Sequence, residues 1–168
     1  HLSPKLIDLP FHDNYSEIAD PYFISQSTFY LGCGSGPIGV AWGFNIPVIL
    51  TNAILGPLLE GSKNTLTLFK KYFSEDLKRN LTYEEILFSN LMDLYMASQF
   101  SENNLTLKEN TSEEILNAVK EMLARLNKEY NEINALDQRY WEIQKEVHLF
   151  RKYVVDRKSP DIPSFPLV

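Results

Sequence analysis

The stretch Thr28–Asn52, TFYLGCGSGPIGVAWGFNIPVILTN, constrains this chain more than any other. Phe29, Tyr30 and Leu31 form the compact apolar run of a buried strand. Gly32, Cys33, Gly34, Ser35 and Gly36 then make a loop with almost no side-chain bulk. Pro37 suits the first position of a helix, where its missing N–H costs nothing. The expected helix covers Pro37–Phe44, with Asn45 as a left-handed stop. Pro47 opens the next strand, VILT, apolar enough to be buried on both faces as parallel strands are. Gly39 and Gly43 lie four apart on one helix face, which predicts close packing on the sheet.

Such a unit places a helix N-terminus at the C-terminal end of a strand, behind a loop that lets a ligand touch backbone. Free N–H groups and the positive end of the helix dipole suit a phosphate there. Gly34, Ser35, Gly36, Pro37, Ile38 and Gly39 are therefore the candidate ligand-binding residues. Gly34-Ser-Gly36-Pro-Ile-Gly39 also satisfies G-x-G-x-x-G. The dinucleotide reading further requires an acid at the end of the following strand, and Thr51, Asn52 and Ala53 stand there instead. A Walker loop is excluded, because no Lys-Ser/Thr pair follows the glycines. An ordinary tight turn that binds nothing is the competing reading. Cys33 reads as a small residue filling that turn rather than a nucleophile, since no His is near it in sequence.

The length of 168 residues fits one domain, and 44% hydrophobic with 12% aromatic residues suffices for a core. A net charge of -6 without a basic cluster argues against nucleic-acid binding. The single cysteine cannot close an internal disulfide, which points to a reducing compartment. No apolar run approaches the roughly 20 residues of a membrane helix. The start at His1, without Met, suggests a piece of something longer.

Along the chain, Lys5–Leu9 (KLIDL) is expected as a short strand carrying Asp8 near its end. His12 and Asp13 follow in a loop. Asp20-Pro21 reads as N-cap and first position of a helix over about 21–27. His12, Asp13 and Asp20 either converge on a ligand or are solvated loop polars and a cap. Ala53–Lys63 reads as a loop. Thr65–Phe69 alternates and is an edge strand or an extended connection. Thr82-Tyr-Glu-Glu85 is a capping box, starting a helix with Ile86, Leu87, Leu91, Leu94 and Tyr95. Leu105–Leu107 is a short strand at most. A second capping box, Thr111-Ser-Glu-Glu114, opens an amphipathic helix with Ile115, Val119, Met122, Leu123 and Leu126 on one face. A further helix is expected from about Leu136 to Tyr153, then a proline-rich tail. The class is α/β: a small, mainly parallel sheet with flanking helices, followed by a helical C-terminal extension.

In this order the residues resemble the C-terminal part of a group of bacterial glycosyltransferases. The resemblance rests on Ile7-Asp8, Ser16, Asp20, Phe29–Gly32, Ser35-Gly36, Phe44, Pro47, Asn52 and Pro57. Downstream it rests on Leu81-Thr-Tyr-Glu-Glu-Ile-Leu87 and on Glu109–Leu126. Ile18-Ala-Asp-Pro21 departs from the family's Asp-Trp-Met-Asp, and Pro37 stands where leucine is usual. More distantly, the Ser-Gly turn and the strand after it resemble the donor half of heptosyltransferases and of nucleotide-sugar 2-epimerases.

The resemblance implies the Rossmann-like C-terminal half of a GT-B glycosyltransferase. Residues 1–130 would be the donor domain and residues 131–168 a C-terminal helix and tail, with an N-terminal acceptor half elsewhere. The implied partners are a nucleotide-sugar donor and a glycan or other acceptor. No cofactor is expected, and helix dipole and backbone donors stand in for a metal. The implied work is bacterial glycan synthesis in the cytoplasm, at or away from the inner membrane, with a separate N-terminal half or a homo-oligomer completing the site. Asn52 and Asp8, at strand ends, are candidates for contacting the base, ribose or sugar. His12 or Asp13 is the candidate catalytic base. The alternatives are a nucleotide-sugar epimerase of the same fold, or a catalytically inactive carbohydrate-binding, nucleotide-binding or scaffold module.

Overall fold

A computed structural model of the protein describes residues 5–13, 15–55, 64–129 and 142. The chain is mixed α/β and divides into two compact units, His1–Ala53 with Glu60–Leu68, and Ile54–Leu59 with Phe69–Val168. Among the described residues, no helix is long and apolar enough to cross a membrane.

The first unit holds helix α1 (Ala19–Gln26), strand β1 (Tyr30–Gly32), helix α2 (Gly36–Gly43), strand β2 (Val48–Ala53) and strand β3 (Thr65–Phe69). The three strands form one sheet in the order β1-β2-β3. β1 and β2 run parallel, with Tyr30 opposite Val48 and Gly32 opposite Leu50. Val48, Ile49, Leu50 and Thr51 are all buried, as the unbroken apolar run of β2 requires. Thr65–Phe69 is thus an edge strand, tied to α2 by the Trp42 indole N–H, which donates to Thr65 Oγ1 at 3.3 Å.

α2 ends as its sequence predicts. Asn45 takes φ 56°, its N–H bonds the Trp42 carbonyl at 3.0 Å, and the Ile46 N–H bonds the Ala41 carbonyl at 2.8 Å. That pair of bonds is a Schellman stop with Asn in the left-handed position.

Three expectations for this unit fail. Lys5–Leu9 is no strand: Leu6 and Ile7 are exposed, and Leu9–Phe11 is a 3-10 turn with Pro10 in it. The Asp8 carbonyl accepts the Phe11 N–H at 3.1 Å, a bond local to the turn, so Asp8 caps a turn and ends no strand. Asp20 is likewise not an N-cap. α1 starts two residues earlier, because the Ser16 carbonyl already accepts the Ala19 N–H at 2.8 Å, and Asp20 lies in the first turn. Pro21 is tolerated there because the first four helical N–H groups have no partner in the helix. Finally, Gly39 and Gly43 do not pack on the sheet. A Cβ at either would meet nothing within 4 Å, whereas Ile38 and Ala41 are the buried residues of α2.

The second unit has its own sheet, of which the sequence predicts only the short strand at Leu105–Leu107. β4 (Lys71–Ser74) is central, flanked by β5 (Arg79–Asn80) and β6 (Leu105–Lys108), and both pairings are antiparallel. The described residues thus hold the expected small parallel sheet with its flanking helices, and beside it a second, antiparallel sheet. Tyr72 is fully buried in the unit's core, stacked on Phe100 with ring centroids 5.4 Å apart. Its hydroxyl donates to the Leu55 carbonyl at 3.4 Å, and burial pushes its pKa up to about 12.

Both capping boxes form, at Thr82/Glu85 and Thr111/Glu114. The first opens only a short helix, α3 (Tyr83–Leu87), rather than one continuing through Leu94 and Tyr95. Ser89 interrupts it: its Oγ accepts the Leu91 N–H at 3.3 Å and caps a separate 3-10 turn, Asn90–Asp93. α4 (Ala97–Glu102) follows, then β6. The second box opens α5 (Ser112–Leu126), which buries Ala118 and Met122. The expected loop around Gly56, Pro57 and Gly61, and the expected helix over 136–153 with its tail, lie outside the described residues apart from position 142.

Candidate functional site

The parallel register of β1 and β2 brings the loop after Gly32 and the end of β2 to the same edge of the sheet. Thr51 fastens the two together, its buried hydroxyl donating to the Gly32 carbonyl at 3.2 Å. Sequence reasoning passed over Thr51. The one signal for it is a hydroxyl at the end of an otherwise aliphatic buried run, where an unpaired polar group would be costly.

Asn52 follows with φ 54°, left-handed although it belongs to a strand. Asn adopts this region more readily than most residues, but a single strained residue at a strand end still needs support from its surroundings.

Tyr30 folds over Gly32, so a Cβ there would lie 2.5–2.8 Å from the Tyr30 ring and hydroxyl and the ring would have to shift. Gly34, Gly36 and Gly39 differ. A Cβ at each meets nothing within 4 Å, and no described glycine has positive φ. Gly36 therefore holds no backbone angle closed to other residues. What Gly34 and Gly36 provide is open surface over the backbone.

Ser35 is the N-cap of α2 in extended conformation, yet its side chain makes no cap bond. The hydroxyl instead donates back to the Cys33 carbonyl at 3.3 Å. The Ile38 N–H donates to the Ser35 carbonyl at 3.2 Å. Both bonds are at or beyond the long end of the normal range, and their donors belong to the first turn of the helix. Pro37 contributes no N–H, which leaves the Gly36 N–H as the foremost backbone donor at this end. Cys33 is exposed, so it does not fill the turn as a packed residue would.

Gly34, Ser35, Gly36 and Asn52 thus lie at the C-terminal edge of the sheet, while Pro37, Ile38 and Gly39 continue into α2, where Ile38 is buried. Asp8 and His12 cap the two ends of the Leu9–Phe11 turn, and Asp13 follows it. Asp20 is engaged by the Tyr15 hydroxyl, which donates to Oδ2 at 3.0 Å. That bond, and the carboxylate's charge, raise the Tyr15 pKa above its ordinary value. Among the described residues, no group of three or more His, Cys, Asp or Glu could hold a metal ion. Comparison with family models, with curated proteins and with solved structures finds no match to this chain.

Proposed function

We propose that this chain is the donor-binding half of a GT-B glycosyltransferase, Rossmann-like in its first unit. A nucleotide sugar lies along the C-terminal edge of the β1-β2-β3 sheet, with its diphosphate over Gly34, Ser35 and Gly36. The observation that carries this reading is the open glycine surface in front of α2, set beside a left-handed Asn52. The Gly36 N–H meets a phosphate oxygen directly. The Ser35 hydroxyl rotates to it from its long local bond, exchanging a neutral acceptor for a charged one.

As the glycosidic bond to the donor sugar breaks, negative charge grows on the departing nucleoside diphosphate, or monophosphate for an acidic sugar. Preorganised N–H donors and the α2 dipole stabilise that charge more than they stabilise the intact donor, which is the differential binding that accelerates a reaction. Asn52 contacts the sugar or ribose from the neighbouring strand end. The acceptor is bound by a separate N-terminal half, and a glycan or similar hydroxyl compound is its class.

A thermal-shift panel of UDP, GDP, ADP, CMP and their sugars tests the reading. A ligand at a hundredfold its dissociation constant adds about 2.7 kcal/mol. For a chain of this size that raises the midpoint by roughly 5–10 °C. A panel in which no nucleotide shifts the midpoint overturns it.

A further inference from the structure

α5 carries more apolar surface than its unit covers. Its core-facing residues are Ala118 and Met122, while Leu116, Leu123 and Leu126 remain 51%, 43% and 38% exposed. With half-buried Val119 between them, these residues recur at spacings of three, four and three. That is the a/d seam of a two-helix coiled coil, along the side of the helix next to its buried face.

The sequence after α5 holds one stretch with the matching period. Leu136, Tyr140, Ile143, Val147, Phe150 and Val154 alternate spacings of four and three. α5 ends on a Schellman stop: Lys128 takes φ 59°, its N–H bonds the Arg125 carbonyl, and the Glu129 N–H bonds the Ala124 carbonyl. Such a stop turns the chain out of the helix axis within three residues. Residues 130–135 then remain as a link, a normal length between antiparallel helices.

We propose that the exposed seam of α5 is the docking surface for residues 136–154 of the same chain, which pack on it as an antiparallel helix. As a helix the segment is about 28 Å long against about 22 Å for α5, enough to run its whole length. Pairing a positions with d positions gives the layers Leu126–Tyr140, Leu123–Ile143, Val119–Val147 and Leu116–Phe150. The same register sets Glu113 opposite Arg151, and places no like charges together. A short tether also keeps the segment at a high effective concentration near the seam, which favours it over a second copy of the protein.

Cross-linking on the full chain tests this. In a Cys33→Ser background, Lys120→Cys with Gln144→Cys places thiols at flanking, solvent-facing positions. A short bismaleimide is expected to join them within one chain, leaving a monomer on a denaturing gel. Cross-links only between chains would overturn the proposal in favour of a second copy, and no cross-link would overturn it outright. Amide exchange on the unsubstituted chain gives an independent reading: peptides from 136–154 should exchange at least tenfold slower than an unstructured chain. Leu123→Glu should abolish that protection while the amides of α5 keep theirs. Unprotected 136–154 peptides in the parent, or protection that survives Leu123→Glu, refute the docking.

Discussion

Glu85 joins three features, so removing its charge alone has a calculable effect. Its carboxylate takes two bonds from the Arg79 guanidinium, at 2.6 and 2.8 Å, and a third from the Thr82 N–H at 2.7 Å. The Arg79 bonds, followed by the Thr82 backbone bond, hold the Glu85 carboxyl at about 2, against an ordinary 4.5. That fall corresponds to an upper limit of about 3.4 kcal/mol. Arg79 is 42% exposed and Glu85 20%, so solvent screening brings the expected contribution down to about 1–2 kcal/mol. Glu85→Gln isolates this amount, because a glutamine at the third helical position still completes the capping box. The sign follows from the depressed value: the contribution is complete above pH 4.5 and lost as pH falls toward about 2. Urea titrations of parent and variant should therefore differ by about 1–2 kcal/mol at pH 7. The difference should halve near pH ~3.2, midway between the two values. A variant as stable as the parent at pH 7, or a deficit unchanged at pH 3, would refute the reasoning.

Other substitutions test the packing. Gly32→Ala should destabilise by about 1–3 kcal/mol, since the added methyl must displace the Tyr30 ring. Gly39→Ala should stabilise by roughly 0.5–1 kcal/mol, because its Cβ enters open space in a helix interior, and thermal melts distinguish the two signs. Cys33→Ala should leave stability and any ligand affinity within about 0.5 kcal/mol, and total loss of activity on that change would make Cys33 a nucleophile. Tyr72 has a raised folded pKa, so its contribution is complete below pH 10 and lost as pH rises toward about 12. Spectrophotometric titration should show a tyrosine ionising toward about 12 whose signal Tyr72→Phe removes.

Legibility in the sequence followed how local the determining interactions are. Both capping boxes, the Asn45 stop and the buried run of β2 depend on neighbours within about six residues, and each formed where its residues stand. Lys5–Leu9 alternates weakly and looked like a strand, but a strand needs a partner. The local bonds around Pro10 claim this segment instead. Of the β5-β4-β6 sheet only the β6 strand is legible, for the opposite reason. Its register joins Lys71 to Lys108 across 37 residues, and its strands are two to four residues long and partly charged. The site divides the same way. The loop from Gly34 to Gly39 reads directly from composition, whereas Thr51 matters only through the carbonyl of a strand nineteen residues away. The role given to Gly39 and Gly43 failed because spacing fixes which residues share a helix face, but not which face meets the sheet.

The central claim is that a donor diphosphate rests on the loop in front of α2, and Gly36→Val meets it most directly. The new side chain enters open space in the free protein, and Gly36 has no positive φ to forbid it, so the variant should fold normally by circular dichroism. With a donor bound, the same side chain occupies the space over the backbone that the phosphate needs. Calorimetry with the strongest nucleotide from the thermal panel should show saturable binding to the parent and at least tenfold weaker binding to the variant. Ser35→Ala should lose one charge-assisted bond, about 1.5–3 kcal/mol. A folded Gly36→Val protein that binds the nucleotide as tightly as the parent would contradict the account.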